Sequence, residues 1–309
     1  MRRGWDFFAA GLCLAVFIFA SRREVQQGAG ASVDTPKLAT LETEQNNLGS
    51  SDDVTVVCLG DSHSKHADFT VPAGEVLLHS GDFSMWGRKS DVVAFNEWLG
   101  KLPHRHKIVV AGNHDSGRTG NRLIFKDLKQ LLSNAVYLVD ETVELPVGNG
   151  KVLRVFGSPW QPQYRGFHSF KSESELESLW LSLESDRRPD VVLTHTPPFS
   201  LLDQDTVASK GIGSTALLKM VADRKPLLHC FGHIHTPGGG TLSVEHSDLN
   251  RETGAQNGKA GELMVGEGRT LFVNDALATN KMDVERVYTM RKGAHPISIQ
   301  FPSKLLKDK

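Results

Sequence analysis

At 309 residues and 39% apolar composition, the chain has room for one large α/β domain or two small ones. Its formal charge of −1 excludes a global electrostatic pull toward nucleic acid or anionic lipid. An anionic substrate would have to be held by local charge, of the kind that bound cations provide.

The chain opens with Met1-Arg2-Arg3 and an apolar run from Trp5 to Ala20, interrupted only by Asp6. A basic start, an apolar middle and small residues at Ala20-Ser21 make residues 1–23 a secretory signal or a membrane anchor. Phe7–Ala20 is short against the ~17–25 residues of a spanning helix, yet Arg22 and Arg23 flank the run as an anchor's would, so the two readings stand level. Either one sends the chain into the secretory pathway, secreted or membrane-associated; a cytoplasmic location is the alternative. Residues 24–52 are rich in Gln, Gly, Ala, Ser and Thr without helical or alternating period, which predicts a flexible linker.

From Val54 the texture changes, and residues 53–302 read as one domain followed by a short tail, 303–309. Strands are predicted at Val54–Leu59 and Val76–His79, a helix at Asp91–Leu99, a strand at Ile108–Ala111 and a helix at Arg122–Leu132. The alternation continues with a strand at Val152–Phe156, a helix at Ser174–Leu183, a strand at Val191–Thr194, a helix at Thr215–Val221 and a strand at Leu227–Phe231. Strands that are apolar throughout imply burial on both faces, with the helices as cover. Residues 237–261 start Pro237-Gly238-Gly239-Gly240 and stay polar, which predicts an exposed insertion ahead of a strand near Thr270–Asn274. Ile297–Phe301, bracketed by Pro296 and Pro302, predicts an edge strand. The whole is an α/β layered fold with ligands beyond the strand carboxyl ends.

Of the three cysteines, Cys13 lies in the N-terminal apolar run, while Cys58 and Cys230 fall in core strands. They read as buried free thiols, with a disulfide as the alternative for an exported chain, and their spacing is not that of a zinc–thiolate site.

Five polar motifs each close an apolar run: Asp61-Ser62-His63, Gly81-Asp82, Gly112-Asn113-His114-Asp115, Thr194-His195 and Gly232-His233-Ile234-His235. Any one of them alone is a turn or a structural histidine. In register at strand ends, they supply oxygen and imidazole donors for borderline divalent metals, with no sulfur among them. Asp61 and His63, two apart, suit chelation of one ion, and His233 and His235 place two imidazoles on one side of an extended segment. The two oxygens of Asp82 can bridge cations ~3.5–4 Å apart. His114 offers a titratable proton, with Asp115 able to orient or charge its ring.

This ordered set resembles the calcineurin-like metallophosphoesterase superfamily over roughly Val54 to Asn274. The intervening text, including Val71-Pro72-Ala73-Gly74-Glu75, Gly157-Ser158-Pro159-Trp160-Gln161-Pro162 and Thr194-His195-Thr196-Pro197-Pro198, is similar to its metallophosphoesterase domain-containing branch. The resemblance implies two packed mixed β-sheets flanked by helices, with the metal site at the strand carboxyl ends. It implies that Asp61, His63 and His235 bind one metal, that Asn113, His195 and His233 bind the other, and that Asp82 bridges them. Some animal members lose one histidine of the final motif; this chain keeps both His233 and His235. His114 would protonate the leaving oxygen or steady the phosphoryl charge, with Asp115 behind it, while a hydroxide shared by two ions attacks phosphorus in line.

The implied function is a dinuclear metal-dependent phosphodiesterase, with cyclic nucleotides among the candidate substrates. A phosphomonoesterase or phosphoprotein phosphatase is the alternative, ahead of a non-catalytic protein-binding scaffold. The two ions could be Mn, Fe, Zn or Ni. A small phosphate ester is the expected partner, no nucleic-acid polymer is, and the oligomeric state is left open. Trp160, Arg118 and Tyr164 are the candidate substrate contacts, with Trp86 in a similar loop.

Overall fold

The computed structural model describes residues 53–116, 125–162, 170–182, 188–205, 210–235, 240–263, 265–282, 288–290 and 296–308. The predicted signal or anchor, the linker, Arg118 and Tyr164 lie outside them. No helix among the described residues is long and apolar enough to cross a membrane.

The first sheet is built from β1 (Val54–Leu59), β2 (Val76–His79), β3 (His106–Val109) and β4 (Val136–Tyr137), all parallel. The second holds β5 (Glu141–Val147), β6 (Lys151–Ser158), β7 (Val191–Thr194), β8 (Leu228–Phe231), β9 (Thr241–Glu245), β10 (Lys259–Ala260) and β11 (Arg269–Asn274). β12 (Ile297–Phe301) returns to the first sheet, antiparallel along the outer edge of β1, and β13 (Lys307–Asp308) joins β6 in the second. The strand orders are β12-β1-β2-β3-β4 and β10-β9-β11-β8-β7-β6-β13, with β5 also paired to β6. β6, β7, β8 and β11 run parallel, so the ends of β1, β2, β7 and β8 all lead into the predicted motifs.

The period of two along each strand sorts its side chains between two cores. Val54, Val56 and Cys58 face inward with Val76, Leu78 and Ile108 to meet Val155, Val191, Leu193, Leu228, Cys230 and Val273 of the opposing sheet. Val57, Leu59 and Leu77 face outward, where α1 (Lys89–Lys101) and α2 (Phe125–Leu131) cover them through Phe95, Leu99 and Leu128. On the far side, Phe156, Val192, Phe231 and Phe272 lie under Leu176, Trp180, Leu217 and Val221 of α3 (Glu173–Leu181) and α4 (Thr215–Arg224). Both faces of each central strand are therefore buried, which is why those strands read as unbroken apolar runs. α3 starts on a capping box, Ser172 with Glu175, and α4 on Ser214, whose hydroxyl accepts from Leu217 N.

Two expectations need correction. The segment 237–261 is not wholly an exposed insertion. Thr241–Glu245 pairs antiparallel with β11 and buries Thr241, Ser243 and Val244. Pairing along β11 satisfies a backbone that its sparse apolar content did not announce. Secondly, Cys58 and Cys230 are joined as a disulfide rather than standing as free thiols. Each sits on the inward face of its sheet, so the two sulfurs meet across the central core.

Candidate metal centre

The site forms where β1, β2, β3, β7 and β8 end together. Asp61 N donates to the Gly81 carbonyl and His63 N to the Asp82 carbonyl, both at 2.9 Å, which stitches the first two motifs side by side. The third motif locks on through Asp82, whose Oδ1 accepts from His114 N at 2.8 Å. The fifth attaches through Asp61 Oδ2, which accepts from His233 N at 2.9 Å. Asp61, His63, Asp82 and His233 all hold left-handed backbone, with φ of 50°, 42°, 50° and 66°. Such a conformation in a non-glycine residue costs on the order of 1–3 kcal/mol and persists only where surrounding bonds impose it. Glycines make the remaining room: a Cβ on Gly232 would lie 1.9 Å from Asp61 Oδ2, and one on Gly112 would lie 2.2 Å from Asp82 Oδ1.

The candidate donor atoms fall into two adjoining groups. Asp61 Oδ1 is 2.8 Å from His235 Nε2, and His63 Nε2 is 3.3 Å from the same nitrogen. Across Asp82, His195 Nε2 is 3.4 Å from Asp82 Oδ2 and 3.0 Å from Asn113 Oδ1, while the His233 and His195 rings lie 4.9 Å apart. His63 Nε2 also faces Asp82 Oδ2, at 3.9 Å. Asp82 thus stands between the two groups, one oxygen pinned by His114 and the other turned to both. Sets drawn from Asp61, His63, Asp82, His195 and His235 bring their donor atoms within 4.8 Å of one another, as a metal ion requires.

Among the described residues, Asp61 and Asp82 form ion pairs only with imidazoles, and both carboxylates are buried. Burial alone would raise Asp61, but His235 beside it, by charge and hydrogen bond, holds the carboxyl down to about 2. Asp82 is likewise driven well below its usual range, its burial outweighed by His195 and His114. Burial would lower His195, but the Asp82 charge pushes it up to about 9. His233, buried and next to His195, falls to about 3. The cluster therefore keeps both carboxylates ionised and His233 neutral, while Asp82 favours a protonated His195, whose proton a bound cation would have to displace. The donor chemistry fits borderline divalent cations.

The histidine rings are aimed by groups that carry no signal in sequence. His195 Nδ1 donates to the Ser80 carbonyl at 2.9 Å, which leaves Nε2 to face the cluster. His114 Nδ1 lies 2.7 Å from the Met85 carbonyl, and its ring meets the His63 ring edge-on, centroids 4.6 Å apart. Asp115, expected behind that ring, is elsewhere. Its Oδ1 accepts from Ser84 N and Oγ at 2.8 Å, and its Oδ2 accepts from Gly112 N at 2.9 Å. Neighbouring residues of one turn point their side chains apart, so Asp115 braces the loop while Met85 orients His114. Burial, with Asp82 nearby, pushes Asp115 up to about 8. His229 holds Thr194 Oγ1 at 2.9 Å, one residue before His195.

Of the substrate candidates, Trp160 lies beyond the end of β6. Its Nε1 donates to Asp140 Oδ2 at 2.6 Å, and Lys171 Nζ sits 4.4 Å from the ring centroid. Trp86 is closer to the chemistry, with its ring centroid 6.0 Å from that of His114.

A buried cluster of His, Asp and Asn side chains thus gathers where the strands of two facing sheets end. Residues 54–237 match the calcineurin-like phosphoesterase family model, and the chain belongs to that family, whose members bind divalent metals. Two UPF0046 proteins of Caenorhabditis elegans are similar to it. One is 37% identical over 196 residues, covering 60% of this chain and 64% of the relative. The other is 34% identical over 216 residues, covering 64% and 74%. Metallophosphoesterase domain-containing protein 1 of Homo sapiens is 35% identical over 202 residues, and the match covers 58% of this chain and 60% of that protein. The chain thus spans less than two thirds of the length of its human relative.

Proposed function

We propose that the protein is a dinuclear phosphodiesterase acting on small phosphate diesters. The observation that carries this reading is the placement of Asp82. One oxygen is held by His114 N, and the other faces His63 on one side and His195 on the other. Asp61, His63 and His235 fill out one seat; Asn113, His195 and His233 fill out the other. Divalent cations bound there supply Lewis acidity to the phosphoryl group and an acidified water as nucleophile.

The chain's own residues do the rest. The Met85 carbonyl accepts from His114 Nδ1, so Nε2 is the nitrogen that can exchange a proton with a substrate. From there His114 gives a proton to the departing alcohol oxygen, and no covalent phospho-enzyme is needed. Trp86, beside His114, forms a wall for the alcohol portion of the substrate. With an ester linkage on each side of the phosphorus, a diester presents the phosphoryl group as a monoanion. Among the described residues the cluster meets that phosphoryl group with imidazoles, which suits a monoanion.

The Cys58–Cys230 disulfide supports a companion reading for location. Such bonds persist in oxidising compartments, in keeping with an N-terminal apolar segment that directs the chain into the secretory route.

The test is a panel of bis-p-nitrophenyl phosphate, cyclic nucleotides, linear diesters and monoesters, offered to protein reconstituted with Mn²⁺. Diesters should be turned over ahead of monoesters, and a chelator should abolish the activity. Preference for monoesters under every metal tried would replace this assignment with a phosphatase one.

A further inference from the structure

The segment from Asn274 to Leu277 passes between the two sheets directly beneath the ligands. Asp275 N donates to the Phe231 carbonyl at 2.9 Å, Gly60 N donates to the Asp275 carbonyl at 3.2 Å, and Leu277 N donates to the Gly60 carbonyl at 3.2 Å. The Asp275 carboxyl is thereby fixed between the ends of β1 and β8, and only 3% of the residue is exposed. Its Oδ1 accepts from Ser80 Oγ at 2.5 Å, and its Oδ2 has no hydrogen-bond partner among the described residues. Burying an acid on such terms is costly, and an apolar side chain would suit a core position better. Its burial also pushes the group well above the usual carboxylate range.

The surroundings are shaped to hold this pair. A Cβ on Gly60 would fall 2.0 Å from Ser80 Oγ and 2.6 Å from Asp275 Oδ1, and one on Gly232 would fall 3.0 Å from Ser80 Oγ. Ser80 is also the residue whose carbonyl takes the Nδ1 proton of His195. Side chain and carbonyl branch from one Cα at the end of β2, where Ser80 N also donates to the Leu59 carbonyl at 3.0 Å. Anchoring the hydroxyl therefore adds a second restraint on that residue, and with it on the carbonyl that orients the ring.

We propose that Asp275 is a positioning residue for the metal centre: by gripping the Ser80 hydroxyl it holds the Ser80 carbonyl against His195, so that Nε2 is presented to the cation beside Asp82. This rests on the metal-site reading above and adds a residue that none of the five motifs contains.

The experiment is Mn²⁺ binding by titration calorimetry on the full chain, with thermal melts alongside, for Asp275→Asn, Asp275→Ala, Ser80→Ala and the double variant Ser80→Ala/Asp275→Ala. Losing an outer partner of a ligating histidine costs about 10–100-fold in metal affinity. Both single alanine variants should show that loss, the double should be no worse than either, and Asp275→Asn, which keeps the acceptor, should stay within about threefold of the parent. A purely structural role would lower the melting temperature, leave affinity unchanged and give additive effects in the double. Any of these three results in the affinity data overturns the inference: Asp275→Ala at parental affinity, an additive double, or no rescue by Asn. A parent that binds no Mn²⁺ would instead overturn the metal-site reading, and this inference with it.

Discussion

A single methyl group added at Gly112 should disable the site without unfolding the protein. The new Cβ would lie 2.2 Å from Asp82 Oδ1 and 2.6 Å from His195 Cε1, whereas ordinary contact begins near 3.4 Å. The Asp82 oxygen must therefore retreat by about 1.2 Å (3.4 − 2.2), and it cannot do so without losing its bond from His114 N at 2.8 Å. Displacing a positioned group by ~1 Å costs roughly 100-fold in rate, or about 2.7 kcal/mol of barrier. Gly112→Ala moves the Asp82 carboxylate and the His195 imidazole together, so kcat/KM for bis-p-nitrophenyl phosphate should fall at least that far at saturating Mn²⁺. Gly148→Ala is the control, because its Cβ meets nothing closer than Glu75 Oε2 at 3.7 Å. A folded Gly112→Ala protein within threefold of parental kcat/KM would refute the claim that Asp82 and His195 must sit where they do.

Three further outcomes are expected. His114→Ala should keep its metal content by elemental analysis while turnover drops by about 10²–10⁴-fold, and the loss should be larger for an alkyl leaving group than for p-nitrophenolate; equal losses would deny it the role of acid. Trp86→Ala should raise KM for aromatic diesters with kcat nearly unchanged, and an unaltered KM would remove Trp86 from the pocket. Replacing Cys58 and Cys230 together by alanine, which frees a closed loop of sequence separation 172, should lower unfolding free energy in denaturant titrations. Chain entropy puts that loss on the order of 5 kcal/mol; identical midpoints for parent and variant would mean that the bond does not form.

Much of the frame was legible because its physics is local. Val54–Leu59, Val76–His79 and Val191–Thr194 are apolar along their whole length, since each lies between two cores, and their limits could be read directly. The edge strand Ile297–Phe301 was marked by its flanking prolines. Thr241–Glu245 was hidden by its glycine-rich approach and mixed composition, and became a strand only by pairing with β11. The disulfide depended on two inward faces meeting across 172 residues of chain, which no local pattern reports.

The site divides in the same way. Its candidate ligands are side chains of rare type at strand ends and therefore conspicuous. The groups that aim them are backbone carbonyls of Ser80 and Met85, which any residue could have supplied. Asp115 was misassigned because adjacency in sequence suggested contact, whereas the turn sends its carboxyl to Ser84 and Gly112. Asp275 was overlooked because nothing about it stands out until Ser80 is beside it.

The account turns on Asp82 serving two cations at once, and metal stoichiometry tests this most directly. Elemental analysis of protein loaded with Mn²⁺ and freed of excess should find two ions per chain in the parent and fewer than one in Asp82→Asn, with both proteins folded by thermal melt. A parent that retains one ion or none, or an Asp82→Asn variant that retains the parental complement, would contradict the shared site.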